Sequence, residues 1–214
     1  QNAILQGKAE GARQAVLEVA LDRVVRRLGA LQIEARQADV PVILVQHDGP
    51  EGHRLARGSD GWRIRAELAP QAGDLVVHKT AADAFYATDL QQRLMERGIR
   101  HLVVGGCMTQ FCVDTTCRSA VAHGFDVTLV ADGHTTADMG GLSFEQIIAH
   151  LLKLQHSRLI EPRDHWRSEI TVFRLDLARK LTPSIERLLR RRARSRHCRH
   201  GLAPRRGPPP PRPA

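Results

Sequence analysis

A chain of 214 residues with 42% hydrophobic content can bury one sizeable core, and its length suggests a single folded domain with an appendage. No stretch approaches the ~18 continuous apolar residues that cross a bilayer, and the start, QNAILQGKAEGARQ, lacks the zones of a signal peptide, so a cytoplasmic protein with reduced thiols and no membrane partner is expected. The formal charge of +9 invites a nucleic-acid reading, but Arg187 to Ala214 holds ten arginines and no acidic residue, leaving 22 basic against 23 acidic groups in the preceding 186 residues. The body is therefore neutral. The tail, 187–214, also carries six of the eleven prolines and reads as a disordered basic Arg/Pro-rich extension, because it has too little apolar surface to fold. It lacks aromatic residues on which bases would stack, which argues against nucleic acid as the partner.

In chain order, the first element is an amphipathic helix between about Ala9 and Arg36, where Ala12, Val16, Val19, Ala20, Val24 and Leu28 recur near helical spacing. VPVILVQH (40–47), DLVVHK (74–79), HLVVGG (101–106) and DVTLVAD (126–132) are nearly continuous apolar runs rich in β-branched residues, which suit parallel strands buried on both faces. Helical patterns separate them. TDLQQRLMERG (88–98) opens on a Thr88 to Gln91 capping box and closes on Gly98. VDTTCRSAVAHG (113–124) also closes on a glycine, and SFEQIIAHLLKLQH (143–156) opens on a Ser143 to Gln146 box. EITVFRL (169–175) reads as an edge strand. The alternation predicts an α/β fold: a three-layer, doubly wound, mostly parallel sheet with flanking helices, within a domain spanning 1–180.

In such sheets ligands lie outside the carboxyl ends of the strands, which singles out Gln46, His47 and Asp48, then His78 and Lys79, then Cys107 to Cys112, then Asp132 with His134. GGCMTQFCVDTTCR (105–118) holds Cys107, Cys112 and Cys117 at even spacing. Two C-x4-C steps sharing a middle residue, with no second cluster, do not make a structural zinc site. A disulfide does not suit a reducing compartment. Cys112 stands at the first turn of a helix that follows a strand and a short loop, where N–H groups and the helix dipole favour a thiolate and can hold an oxyanion. On position alone, a nucleophile and a small core residue fit Cys112 equally well; Cys107 and Cys117 read as core.

The run G-G-C-M-T-Q-F-C-V-D-T-T from Gly105 to Thr116, followed by ADGHTT and preceded by VVHKTAADAFYATDLQQRL, resembles the isochorismatase-like cysteine hydrolases, which include nicotinamidases and carbamoylsarcosine amidohydrolase. His47, Asp48 and Gly49 with ARGSDGW (56–62) add to the likeness, which extends to about His156. The resemblance implies that Cys112 is the nucleophile and Lys79 the catalytic lysine, with a non-proline cis peptide at Cys107–Met108 and an oxyanion hole made by the N–H groups of Met108 and Cys112. The implied chemistry is hydrolysis of a small amide or related C–N bond through a thioester, without a cofactor, on a small-molecule substrate and in a homo-oligomer. His47, Asp48, Trp62, Phe85, Tyr86 and His134 are candidates for the pocket, although an aromatic residue is more often core. HDGPEGH lacks the D-x-H arrangement of the metal-dependent nicotinamidases, so no metal is expected.

The family's third catalytic member is an aspartate on the central first strand, in a run reading roughly D-x-Q-N, and the chain begins at Gln1 and Asn2. The expectation is therefore a sheet lacking that strand and a triad lacking its carboxylate. Two alternatives follow: a catalytically inactive or truncated member, and a protein that associates with nucleic acid through its tail.

Overall fold

The computed structural model describes residues 1–156 and 170–173. The chain divides into two units, Gln1–Leu175 and Asp176–Ala214; the tail expected over 187–214 lies outside the described residues. Helix α1 (Gly11–Gln37) leads into strand β1 (Ile43–His47). Strand β2 (Leu75–Lys79), helix α2 (Leu90–Glu96) and strand β3 (His101–Cys107) follow. A π-helical turn, Thr109–Val113, opens helix α3 (Asp114–Ala122), and β4 (Asp126–Thr135), α4 (Phe144–His156) and β5 (Ile170–Phe173) complete the order. Among the described residues no helix is long and apolar enough to cross a membrane.

All strand pairings are parallel, as βαβ connections require, and the doubly wound α/β class is the one observed. The strands form two sheets, β1-β2 and β3-β4-β5, with β5 at an edge beside β4 as its sequence suggests. Among the described residues β1 and β3 thus each have one edge without a strand partner. On those same strands Val45 and Val103 are 40% and 54% exposed, whereas β4, paired on both sides, is almost wholly buried. A side chain on a sheet face is covered partly by its lateral neighbours, and these two valines have them on one side only.

Two apolar clusters hold the layers. One gathers Val77, Phe85, Leu90, Leu94, Val113, Cys117, Phe125, Val127 and Leu129, joining α2 and α3 to the strands. The other gathers Leu5, Leu17, Leu21, Val25, Met108, Ala137 and Phe144 around α1. The stripe that α1 buries is Leu17, Leu21, Val24 and Val25, at i, i+4, i+7 and i+8. Val16 and Val19, assigned inward from spacing, are 44% and 49% exposed. Two overlapping apolar stripes run along α1, and the leucines remove more apolar surface from water than the valines do.

The expected box at α4 forms: Ser143 Oγ accepts the Gln146 N–H at 3.3 Å, and Gln146 Oε1 accepts the Ser143 N–H at 2.9 Å. The box expected at Thr88 and Gln91 does not. Thr88 Oγ1 instead accepts the Leu90 N–H at 3.3 Å and donates to the Ala84 carbonyl at 2.6 Å, so its hydroxyl anchors the preceding loop. Helix α2 ends before Gly98, whose φ of +63° suits a residue without a Cβ.

Candidate active site

The segment around Cys112 departs from the expected loop and helix start. Strand β3 continues through Cys107, the Cys107–Met108 peptide is cis, and Cys112 lies inside the π-turn rather than in the first turn of an α-helix. The Met108 carbonyl accepts the N–H groups of Phe111 and Val113 at 3.2 Å, the residues on either side of Cys112. Cys112 is half-buried. Burial pushes the Cys107 thiol up to about 12 and the Cys117 thiol likewise up to about 12, so both are held protonated at neutral pH.

Lys79 ends β2 and is 6% exposed. Its Nζ donates to the carbonyls of Ala81 at 2.7 Å and Ala82 at 2.8 Å. Those carbonyls belong to a loop tied to α3: Thr116 Oγ1 accepts the Ala84 N–H at 3.1 Å and donates to the Ala82 carbonyl at 3.5 Å. Thr116 lies four residues after Cys112, one helical turn along the same face. Lysine and cysteine, 33 positions apart in sequence, are in this way held by one local network.

His47 pairs with Lys79 in the β1-β2 register. Burial lowers its pKa, the Lys79 and His53 charges lower it further, and Asp48 and a hydrogen bond to the Ala81 backbone oppose them. Its Nδ1 is buried and has no partner among the described residues. Asp48, the next residue along an extended strand, turns to the other side. Its Oδ1 accepts the Trp62 indole N–H at 2.7 Å and lies 3.1 Å from His78 Nδ1, with Arg57 at 3.8 Å from Oδ2. Burial works to raise the Asp48 pKa, but the bonds from Trp62 and His78 outweigh it and the carboxyl is held below its usual range. Trp62 stacks on His78 at 5.8 Å and 13°, and its carbonyl accepts the side-chain amides of Gln46 and Gln1. Asp48 and Trp62 therefore fasten the loop after β1 to the ends of β1 and β2.

The other pocket candidates separate. Phe85 is 7% exposed and packs against Phe125 at 5.8 Å and His123 at 5.0 Å, within the core, while Tyr86 is 66% exposed. Asp132 pairs with Arg27 of α1 at 2.5 Å. His134 is 2% exposed, with its Nδ1 3.0 Å from Thr109 Oγ1, which places it behind the π-turn. Among the described residues no group of three or more His, Cys, Asp or Glu side chains could hold a metal ion. Spacing placed His78 and Thr109 among the strand-end candidates without giving either a partner, and left out Thr116. The two threonines stand in the T-x-x-C-V-x-x-T run, so position relative to Cys112 was the available signal, whereas nothing local to VVHK marks His78 as a partner of Asp48.

Fold and site together define a class: a doubly wound α/β domain with a thiol on the turn from strand to helix and a buried lysine at the end of another strand. Residues 1–148 match the family model described as Isochorismatase domain, and the chain belongs to the isochorismatase-like hydrolase family. Streptothricin hydrolase from Streptomyces noursei is 36% identical over 118 residues, covering 55% of this chain and 47% of that protein. Ureidoacrylate amidohydrolase RutB from Variovorax paradoxus is 37% identical over 95 residues, covering 44% of this chain and 37% of that one. The matched stretch thus spans less than half the length of either relative. Among solved structures, an isochorismatase family protein matches with a TM-score of 0.62 at 32% identity, over 79% of this chain and 93% of that one. An isochorismatase from Pseudomonas putida KT2440 matches with a TM-score of 0.65 at 27% identity, over 72% and 76% of the two chains.

Proposed function

We propose that this domain hydrolyses a small amide or related C–N bond with Cys112 as nucleophile. The observation that carries the reading is the setting of that thiol. It is half-buried in a π-turn next to a loop holding the buried Lys79, whereas Cys117 is wholly buried and Cys107, itself half-buried, has its thiol pushed up to about 12. A hydrolase and an amidohydrolase among the relatives support the bond type.

In the reaction the Cys112 thiolate attacks the carbonyl carbon and the C=O electron pair moves onto oxygen, where the N–H groups of Met108 and Cys112 hold it. Collapse of that intermediate breaks the C–N bond. The nitrogen leaves as ammonia or an amine after taking up the proton that the Cys112 thiol released on ionising, with Lys79 placed to stabilise the thiolate and to hydrogen-bond the leaving group. Water then adds to the thioester, and the thiolate departs as the carboxylic acid forms. His47, with an unpaired Nδ1 beside Lys79, is the pocket residue best placed to hydrogen-bond a polar group of the substrate.

One observation favours a second reading, of a domain that binds but turns over slowly as given: the Lys79 Nζ bonds are to carbonyls, and none of the described carboxylates is bonded to it. Ammonia release from a panel of small primary amides and N-carbamoyl compounds tests both. The chain as given and a form preceded by an aspartate-bearing strand are assayed, each beside its Cys112→Ala variant. Release that requires Cys112 is expected. Release only from the extended form supports the second reading, and folded protein without release in either form overturns the hydrolase reading.

A further inference from the structure

The end of β4 buries four consecutive or contacting polar side chains: His134 at 2% exposed, Thr135 at 1%, Thr136 at 0% and, across from them, Thr109 at 0%. Burying a polar side chain costs free energy unless a hydrogen bond offsets it, and an apolar residue of similar volume would fill the His134 position at less cost. The imidazole is only partly compensated. Its Nε2 has no partner among the described residues, and its one side-chain bond joins Nδ1 and Thr109 Oγ1 at 3.0 Å. The position of that bond gives the histidine its meaning. Thr109 is the first residue of the π-turn that carries Cys112, and it follows Met108 directly.

Backbone pairing fixes the other side of the same junction. In the β3-β4 register Gly106 pairs with His134 and Cys107 with Thr135, after a shift in which β4 advances from Leu129 to His134 while β3 advances only from Val104 to Gly106. The bulge re-aims the end of β4. The His134–Thr135 dipeptide thereby grips both flanks of Met108: Cys107 through the strand ladder, and Thr109 through the imidazole.

We infer that His134 is a positioning residue that, through Thr109, sets the orientation of the π-turn and of the Cys112 thiol within it. This rests on the reading of Cys112 as the nucleophile. Burial lowers the His134 pKa to about 4, so the imidazole is neutral throughout the working range and holds the turn without changing charge. A thiol's reactivity follows the N–H groups and charges aimed at it, so loosening the first residue of its turn is expected to reduce its reactivity.

The test reads Cys112 directly and needs no substrate. Iodoacetamide alkylation of Cys112 is followed by peptide mass spectrometry from about pH 6 to pH 9, in the parent and in Thr109→Val, Thr109→Ser, His134→Leu and His134→Asn. Asparagine can place its amide where Nδ1 stands, and serine retains the hydroxyl. Thr109→Val and His134→Leu are expected to move the pH-rate profile upward and to slow alkylation at pH 7 by about tenfold, with Thr109→Ser and His134→Asn within about twofold of the parent. Thermal melting checks that each variant is folded; if His134→Leu does not fold, Thr109→Val against Thr109→Ser decides alone. Unchanged profiles in folded Thr109→Val overturn the inference, as does equal loss in the conservative variants. A parent whose Cys112 does not alkylate at any pH overturns the nucleophile reading itself, a result distinct from a reactive parent with indifferent variants.

Discussion

At pH 8 a thiol with a pKa near 12 is almost entirely protonated, and only the thiolate attacks an alkylating agent. Cys117, wholly buried, is in that state, and desolvation raises Cys107 likewise, although Cys107 keeps a half-buried position as Cys112 does. Peptide mapping after iodoacetamide treatment at pH 8 is expected to show Cys112 labelled, with Cys107 and Cys117 roughly a thousandfold slower than an ordinary thiol. Comparable labelling of all three would contradict the burial argument. Lys79 has an equally sharp expectation. Lys79→Met keeps the length of the side chain and loses its donors, so turnover is expected to fall by about two to four orders of magnitude. Circular dichroism should show a fold retained at some cost, since two half-buried carbonyls each lose one donor, at about 1 kcal/mol. Cys112 and Lys79 both stand in runs that carry the family resemblance, which is what made them legible in the sequence; position alone left each open. The partition of the aromatic candidates was not legible there: Phe85 and Tyr86 are adjacent, yet one is core and the other is 66% exposed.

At the scale of elements, close approach decides what the strand ends can reach. A Cβ at Gly105 would stand 2.6 Å from the Gly133 carbonyl oxygen and 2.6 Å from Leu28 Cδ2, so the glycine lets β3, the β4 bulge and α1 meet. Gly105→Ala is expected to destabilise the domain by about 1–3 kcal/mol, read as a lower urea midpoint with an unchanged slope. The loop that holds Lys79 makes a similar demand on α3. Thr116→Val keeps the shape and removes the hydroxyl that meets Ala82 and Ala84. A loss of about 1–2 kcal/mol in stability is expected, with a fall in kcat larger than any change in KM, because the altered loop orients the lysine rather than binding substrate. An unaltered kcat would remove Thr116 from the positioning network. The GG pair and the glycine of ADGHTT are visible in the sequence, but the bulge they permit is not, since a register shift is a property of two strands together.

The whole molecule should lose stability in two stages as it is acidified. Unfolded, the His134 imidazole takes its proton near the ordinary 6.5; folded and buried, it does so only near 4. Between those values the unfolded chain binds more protons, so folding stability falls as pH drops through that window, by on the order of 3 kcal/mol in full. His47, also lowered chiefly by burial, acts in the same direction. Asp74 beside Arg36 and Asp138 beside Arg13 are held below their usual 3.8 by those partners, so their contributions persist above that value and are lost below it. Urea midpoints of the parent and of His134→Asn, measured from pH 7 down to pH 4, should show the parent losing stability relative to the variant as pH falls. Parallel curves would show that His134 does not titrate as its burial requires.

The amino-acid sequence by itself determined the alternation of helices and parallel strands, the neutral body with its basic tail, and the singling out of Cys112 and Lys79. These rest on periodicity, local charge and short motifs, which act over a few residues and survive in one dimension. Only the tertiary structure decided that Cys117 is shut off from water, which face α1 buries, and that the described strands divide into two sheets. It alone turned Asp48 onto Trp62 and His78 and set His134 against Thr109. Those outcomes depend on side chains tens of residues apart competing for the same buried space, and desolvation and hydrogen-bond satisfaction take their values only once the neighbours are in place.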